Sequence, residues 1–97
     1  MIDNGSYYTV CGWMRTDLQL KGNDLLLYAV LYSFTQAGSW FEGTRNDLAR
    51  WIGCSKQSVT HNINNLIERG LIERRVRTEC GMTFNDYRVT RRKDNAR

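Results

Sequence analysis

Apolar residues recur at helical spacing in the middle of the chain. Residues 25–36 carry them on nearly every side, a pattern typical of a helix at the centre of a hydrophobic core. Residues 56–69 place theirs on one face, because Val59, Ile63 and Leu66 are spaced four and three positions apart. The pattern predicts one central core helix and one amphipathic helix with a polar outer face.

Another helix, of about two turns, is predicted between these two by the residues at its ends. Thr44 is a favourable N-cap residue, and Asp47 follows three positions later, where its carboxylate can reach back to the cap. Gly53 ends this helix, and Ser55 opens the next one only two residues further on. Two short helices joined by a tight, glycine-containing turn form a helix-turn-helix.

The C-terminal part of the chain alternates between polar and apolar residues, as strands do. Strands are predicted over residues 72–77 and 83–89, with a turn between them. Ile72 and Val76 fall on one face of the first strand, so we expect both of them to be buried. This segment therefore predicts a β-hairpin with one side against the core.

Shorter elements complete the prediction. Residues 6–11 are aromatic and β-branched and are expected to be extended, while Met14 and Leu18 predict one helical turn. Trp40 and Phe41 follow a glycine-containing segment and predict a short strand. The resulting order predicts an α+β, mainly α fold, namely a winged helix-turn-helix with a three-helix core and a C-terminal β-hairpin wing.

The length of 97 residues suits one domain. We expect a single domain over residues 1–97, with an N-terminal extension (1–12), a core and wing (13–90) and a basic tail (91–97). The formal net charge is +4, and residues 69–97 carry nine basic against four acidic side chains. This concentration of positive charge favours a polyanionic partner, although a solvated surface would also explain it.

Several classes of protein lack support in the sequence. The longest apolar run, residues 25–32, falls far short of the roughly 20 residues that cross a bilayer. No charged start followed by an apolar run appears at Met1, so we expect no signal peptide. Three separated cysteines and one histidine do not have the spacing of a structural zinc site. No catalytic or phosphate-loop motif occurs. We therefore expect a cytoplasmic protein that is not an enzyme, binds neither metal nor cofactor and has no membrane partner.

The polar face of the last predicted helix is the first candidate for function. In a helix-turn-helix the second helix enters the major groove, where short polar side chains hydrogen-bond to base edges and the helix N-terminus meets phosphate. Any surface helix has a polar face, but residues 53–67 contain no Asp or Glu, as an interface with phosphate requires. The predicted contacts are Ser55, Lys56, Gln57, Ser58, Thr60, His61 and Asn64.

The hairpin supplies the second candidate. Residues 74–93 contain seven basic and two acidic side chains. Arginine on a wing can enter the minor groove or hold phosphates, whereas an edge hairpin also carries charge simply to stay soluble. The predicted wing contacts are Arg74, Arg75, Arg77 and Arg88.

Aromatic and apolar residues near the N-terminus leave another interpretation open. Tyr7, Tyr8, Val10 and Trp13 lie outside a minimal winged helix, and they either complete the core or form a homodimer interface. The leading hypothesis is a sequence-specific protein that binds double-stranded DNA. The alternative is a winged-helix module for protein interaction or oligomerisation, or a small phage effector without direct DNA readout.

Five segments also carry a resemblance to a known family: Trp13-Met14, residues 20–26, residues 32–36, residues 40–44 and residues 48–55. Together they resemble a winged-helix domain of phage and mobile-element proteins from Gram-positive bacteria. That group includes replisome organisers and replication initiators related to DnaD-type primosomal proteins. The resemblance covers about residues 13–89, and Lys21 departs from it, since relatives often have Ser or Thr there.

The resemblance implies DNA binding at a replication origin or an operator. It therefore implies a role in replication initiation or transcription regulation, with replication or transcription proteins as further partners. Many relatives continue into further domains beyond the wing. The chain is accordingly expected to be either an excised N-terminal domain or a complete small protein.

Overall fold

The structure is a computed structural model of the chain, and it describes residues 8–36 and 38–90. Within them, a helical part is followed by an antiparallel hairpin. The elements are α1 (Gly12–Thr16), α2 (Gly22–Phe34), α3 (Arg45–Ile52), α4 (Lys56–Glu68), β1 (Ile72–Glu79) and β2 (Met82–Val89). The order confirms the predicted fold class, a winged helix-turn-helix in which α3 and α4 form the motif and β1 and β2 form the wing.

Helix α2 lies at the centre of the core, as its apolar pattern predicts. Five consecutive residues, from Leu27 to Leu31, are buried beneath α3, α4 and the wing. Lys21 occupies the N-cap position and makes no side-chain cap bond. The first turn is fastened by another contact, in which the Asn62 amide of α4 donates to Asp24 at 2.6 Å. The start of α2 therefore lies beside α4.

The helix-turn-helix is held by the cap residues that the sequence predicts. Thr44 accepts a hydrogen bond from the Asp47 backbone N–H at 3.1 Å, and the Asp47 carboxylate accepts one from the Thr44 N–H at 3.0 Å. Ser55 caps α4 by accepting from the Ser58 N–H at 3.1 Å. Gly53 ends α3 with φ of 74°, in the left-handed region that favours glycine. Both caps and the turn glycine are confirmed.

The wing is a long hairpin with a turn of only two residues. Glu79 pairs with Met82, which leaves Cys80 and Gly81 as the turn, with φ of 53° and 77°. Two consecutive positive φ values are typical of a type I′ turn, whose twist matches that of the strands. The short strand predicted at Trp40 and Phe41 is reduced to a single bridge, in which Phe41 and Tyr87 exchange backbone hydrogen bonds of 2.7 and 3.1 Å.

Burial of apolar side chains in the wing is confined to its base. Ile72, Tyr87 and Val89 are buried, but Val76 is 61% exposed although it shares a face of β1 with Ile72. The expectation that Val76 is buried is therefore wrong. Beyond its base the hairpin extends past the helices, so its outer residues have no core to pack against.

The aromatic residues near the N-terminus pack on the helices. Trp13 lies edge-on to Tyr28 and Tyr32, with ring centroids 6.1 and 5.2 Å apart. Tyr8 lies edge-on to Trp51 of α3 at 5.9 Å. These side chains extend the core beyond a minimal winged helix, and the homodimer interface stays a prediction.

Two of the sequence predictions for the ends of the chain fall partly or wholly outside the described residues. Tyr7 and the basic tail of residues 91–97 belong to the undescribed parts. In the described part of the first segment, residues 8–11 precede α1 without regular secondary structure, and α1 itself is the predicted helical turn. No helix in residues 8–36 and 38–90 has the length and apolarity needed to cross a bilayer.

Candidate nucleic-acid interface

The predicted contact surface of α4 faces solvent along its whole length. Val59, Ile63 and Leu66 are buried against the core, which turns the opposite arc outward. The arc contains five exposed residues and two partly exposed ones: Ser55, Lys56, Gln57, His61 and Asn64, then Ser58 and Thr60. The structure thus brings the seven predicted contact residues onto one surface, which we call the α4 polar face.

The side chains of the α4 polar face differ in whether their hydrogen-bonding groups are already used within the protein. The Ser55 and Ser58 hydroxyls bond to each other at 3.1 Å, and the Thr60 hydroxyl donates to the Lys56 carbonyl at 3.1 Å. The remaining side chains make no hydrogen bond with the described part of the chain: Lys56, Gln57, His61 and Asn64. These four are therefore the groups best able to meet a nucleic acid.

The wing arginines have more intramolecular partners than their sequence pattern indicates. Arg75 Nη2 lies 2.7 Å from Asp86 Oδ2 and 3.3 Å from Glu42 Oε2. Arg77 Nε lies 2.6 Å from the same Asp86 oxygen, and its Nη1 lies 2.9 Å from Glu79 Oε1. Two of the four predicted wing contacts thus converge on one carboxylate of the adjacent strand.

Asp86 is fully buried at the centre of this cluster. Burial alone raises the pKa of Asp86, but hydrogen bonds from Arg77 and Arg75 outweigh it and hold the pKa below its usual value. The same hydrogen bond with Asp86 raises the pKa of Arg77, against the opposing effect of burial. The Oδ1 atom of Asp86 is buried without a hydrogen-bond partner among the described residues, so the carboxylate is held through Oδ2.

A tryptophan ring braces the base of the wing. The guanidinium carbons of Arg75 and Arg88 lie 4.6 and 4.3 Å from the centroid of Trp40, within the range of cation–π attraction. Arg88 also pairs with Glu73 at 2.7 Å and donates to the Gly38 carbonyl at 3.1 Å. Arg75 and Arg88 therefore contribute to the stiffness of the wing in the free protein.

Arg74 differs from the other wing arginines. It is exposed, it lies on the opposite face of β1, and it has no ion pair within the described residues. Of the four predicted wing contacts, Arg74 is the one whose guanidinium has no partner within residues 8–36 and 38–90.

A cleft of about 400 Å³ separates the wing from the start of the helix-turn-helix. Three cationic side chains line it: Arg45 at the start of α3, Lys56 at the start of α4, and Arg77 from β1. Arg45 also donates to the Tyr87 hydroxyl at 3.4 Å. Sequence reasoning missed Arg45, although the first helix of such a motif crosses the DNA backbone and a basic residue at its start is a usable signal.

The fold defines a winged helix-turn-helix protein, and the helix-turn-helix is a motif of the DNA-binding class. Residues 18–72 match the sequence model of a helix-turn-helix domain, which is more than half of the chain. The chain therefore belongs to this helix-turn-helix domain family. This confirms the general part of the resemblance, and the replication-initiator subtype stays a prediction.

Solved structures of two proteins show the same fold. A possible transcriptional regulator from Methanosarcina mazei Go1 aligns with a TM-score of 0.62 and 14% identity, over 86% of this chain and 67% of that one. Stf76 from the Sulfolobus islandicus plasmid-virus pSSVx aligns with a TM-score of 0.53 and 18% identity, over 81% of this chain and 94% of its own. At such identities the likeness concerns the fold alone. No curated protein matches the chain in sequence.

Proposed function

We propose that this protein binds double-stranded DNA in a sequence-specific manner and thereby regulates transcription or initiates replication, in the manner of phage and mobile-element proteins. The observation that carries the proposal is the α4 polar face, which is exposed and free of carboxylates over residues 53–67. Helix-turn-helix proteins place this helix in the major groove. The family of the chain supports the same mode of binding.

The exposed side chains of the α4 polar face suit two kinds of DNA contact. Gln57, His61 and Asn64 are spaced four and three apart, so they lie along one line of the helix surface. Glutamine and asparagine can form paired hydrogen bonds with adenine, and these contacts read sequence. Lys56, at the helix start, is placed to meet a phosphate and contributes affinity rather than specificity.

The wing adds one more contact to this arrangement. Arg74 is exposed and unpaired in the described structure, so its guanidinium is available to the minor groove or to a phosphate. Binding through α4 and Arg74 together would place contacts in neighbouring grooves of one duplex.

The proposal is tested by selecting bound duplexes from a random pool and measuring their affinity by fluorescence anisotropy. We expect an enriched motif, and we expect Gln57→Ala to weaken binding to it by about 1–3 kcal/mol. On a mixed-sequence duplex the same variant should bind within about twofold of the wild type, since its contact reads bases. Gln36→Ala, which removes an exposed glutamine from the loop after α2, is the matched control and should change neither affinity.

Two outcomes would contradict the proposal: no enriched motif, or binding that does not weaken as salt rises. A pair of palindromic half-sites in the selected motif would also establish binding as a dimer, a state that light scattering can check independently. Repression of a reporter that carries the selected motif would distinguish a transcriptional role from one in replication.

A further inference from the structure

We propose that the cleft between the wing and the helix-turn-helix binds one phosphate of the DNA backbone, with Arg45, Lys56 and Arg77 as its cationic donors. The inference rests on the duplex binding proposed above. It adds Arg45 to the interface, and it assigns Arg77 a fixed position there. It also gives a role to Asp86, an acidic residue buried within a basic wing.

The three cations reach the cleft from three separate elements. Arg45 is the first residue of α3 and Lys56 is the first residue of α4, so both side chains leave the positive ends of their helices. Arg77 approaches from β1 on the other side. Three positive charges around one opening attract a phosphate more strongly than any of them does alone, because their fields add.

The remaining lining of the cleft supports an anionic ligand. Asn46, Thr83 and Asn85 supply neutral side chains that can donate hydrogen bonds. Glu42 is the acidic residue of the lining, and it lies 3.7 Å from Arg77 and 3.3 Å from Arg75. The lining therefore carries three cations against one carboxylate, so the cleft keeps a positive balance.

Asp86 acts on this site as a positioning residue. Its carboxylate holds Arg77 Nε at 2.6 Å, while 22% of the Arg77 side chain stays exposed at the cleft. Because Asp86 itself is buried, a phosphate in the cleft meets the guanidinium and not the carboxylate. A guanidinium that is already oriented loses less side-chain entropy when the phosphate binds.

The test compares Arg45→Gln with Arg50→Gln on a mixed-sequence duplex of 30 base pairs, by anisotropy over a series of salt concentrations. Both variants remove one arginine from α3, but Arg50 does not line the cleft and pairs with Asp47 at 2.8 Å. Loss of one phosphate contact should reduce the salt slope by about 0.9 and weaken binding about eightfold at 0.1 M salt. We expect this result for Arg45→Gln and a change below about twofold for Arg50→Gln.

Asp86→Asn provides a second measurement, whose sign is informative. If Asp86 only contributed negative charge near DNA, the amide would raise the affinity; as a positioning residue, its loss should lower the affinity. All three variants are measured at a temperature where circular dichroism shows them to be folded. If Asp86→Asn does not fold, the comparison of Arg45→Gln with Arg50→Gln decides alone.

The possible failures are distinguishable. A wild-type protein that binds no duplex at low salt overturns the proposed function. A wild-type protein that binds, with Arg45→Gln indistinguishable from Arg50→Gln, overturns the cleft assignment and leaves the α4 polar face intact. Higher affinity of folded Asp86→Asn overturns the positioning role.

Discussion

Replacing Asp86 with asparagine should lower the free energy of unfolding by about 2 kcal/mol. The carboxylate accepts three hydrogen bonds through Oδ2, at 3.1 and 2.7 Å from Arg75 and at 2.6 Å from Arg77. An amide oxygen can accept the same bonds but carries no charge. The amide nitrogen would then occupy the position of Oδ1, where the described residues offer no hydrogen-bond partner.

The magnitude follows from the burial of the partners. Removing one member of a fully buried ion pair costs about 3–5 kcal/mol, because the other charge is left without solvent or partner. Here Arg75 and Arg77 are 39% and 22% exposed, and both keep a second carboxylate, at Glu42 and at Glu79. Water and these carboxylates recover part of the loss, which reduces the expected cost to about 2 kcal/mol.

Urea denaturation at pH 7, followed by circular dichroism, measures this difference. For a domain of this size, about 2 kcal/mol corresponds to a fall in Tm of roughly 8–16 °C. Glu79→Gln is the matched control: Glu79 also pairs with Arg77, at 2.9 Å, but it is 64% exposed. Its removal should change the free energy of unfolding by less than about 0.5 kcal/mol.

The pH dependence gives an independent check. Because the pKa of Asp86 is lower in the folded state than in the unfolded chain, its ionised form stabilises the fold. That contribution is complete above the unfolded pKa of about 4 and is lost as pH falls through the lower folded pKa. The difference in the free energy of unfolding between the wild type and Asp86→Asn should be constant from pH 8 to about 5 and should become smaller below about pH 4. A difference in the free energy of unfolding under about 0.5 kcal/mol at pH 7, or one that stays constant as the solution is acidified, would refute this reasoning.

Two further stability predictions use the same denaturation assay. Cys80→Asn should stabilise the protein by about 0.5–1 kcal/mol, because Cys80 has φ of 53° and asparagine tolerates that conformation better; an equal gain from Cys80→Ser would remove this explanation. Thr44→Ala should cost about 1 kcal/mol, since it deletes the hydroxyl that caps α3. Thr9→Ala, at an exposed residue before α1, is its control, and equal effects of the two would argue against the cap.

The helix-turn-helix could be predicted because its signals are local. Thr44 and Asp47 form their reciprocal bonds across three residues, and Gly53 takes its left-handed conformation one residue after α3. Such interactions depend on neighbouring positions only. The spacing of apolar residues along α4 likewise predicts which face is buried, and hence which side chains are exposed.

The wing ion pairs could not be predicted in the same way, because they depend on strand register. A two-residue turn at Cys80 and Gly81 places Arg75 opposite Asp86 and, further along, Glu73 opposite Arg88. Cysteine is not one of the residues whose presence in a sequence normally predicts such a turn. The arginines therefore looked like free cations, whereas the register gives three of the four a carboxylate partner.

The cleft could not be predicted from the sequence, for a related reason. Arg45, Lys56 and Arg77 are separated by 11 and 21 positions, and no repeating pattern connects them. They line one cleft because the fold brings β1 beside the starts of α3 and α4. A site assembled from three elements in this way requires the tertiary arrangement as well as the residue types.

The contacts between the wing and Trp40 also bear on whether the protein or the DNA changes its conformation during binding. Arg75 and Arg88 hold the hairpin base to the ring, so the position of the hairpin relative to the segment between α2 and α3 is largely set before any ligand arrives. If the wing contacts a groove as proposed, a hairpin fixed in this way would follow variations in groove geometry poorly, and the double helix would have to bend or narrow to fit it. Stiff and easily kinked base steps would then differ in affinity even where no side chain touches them.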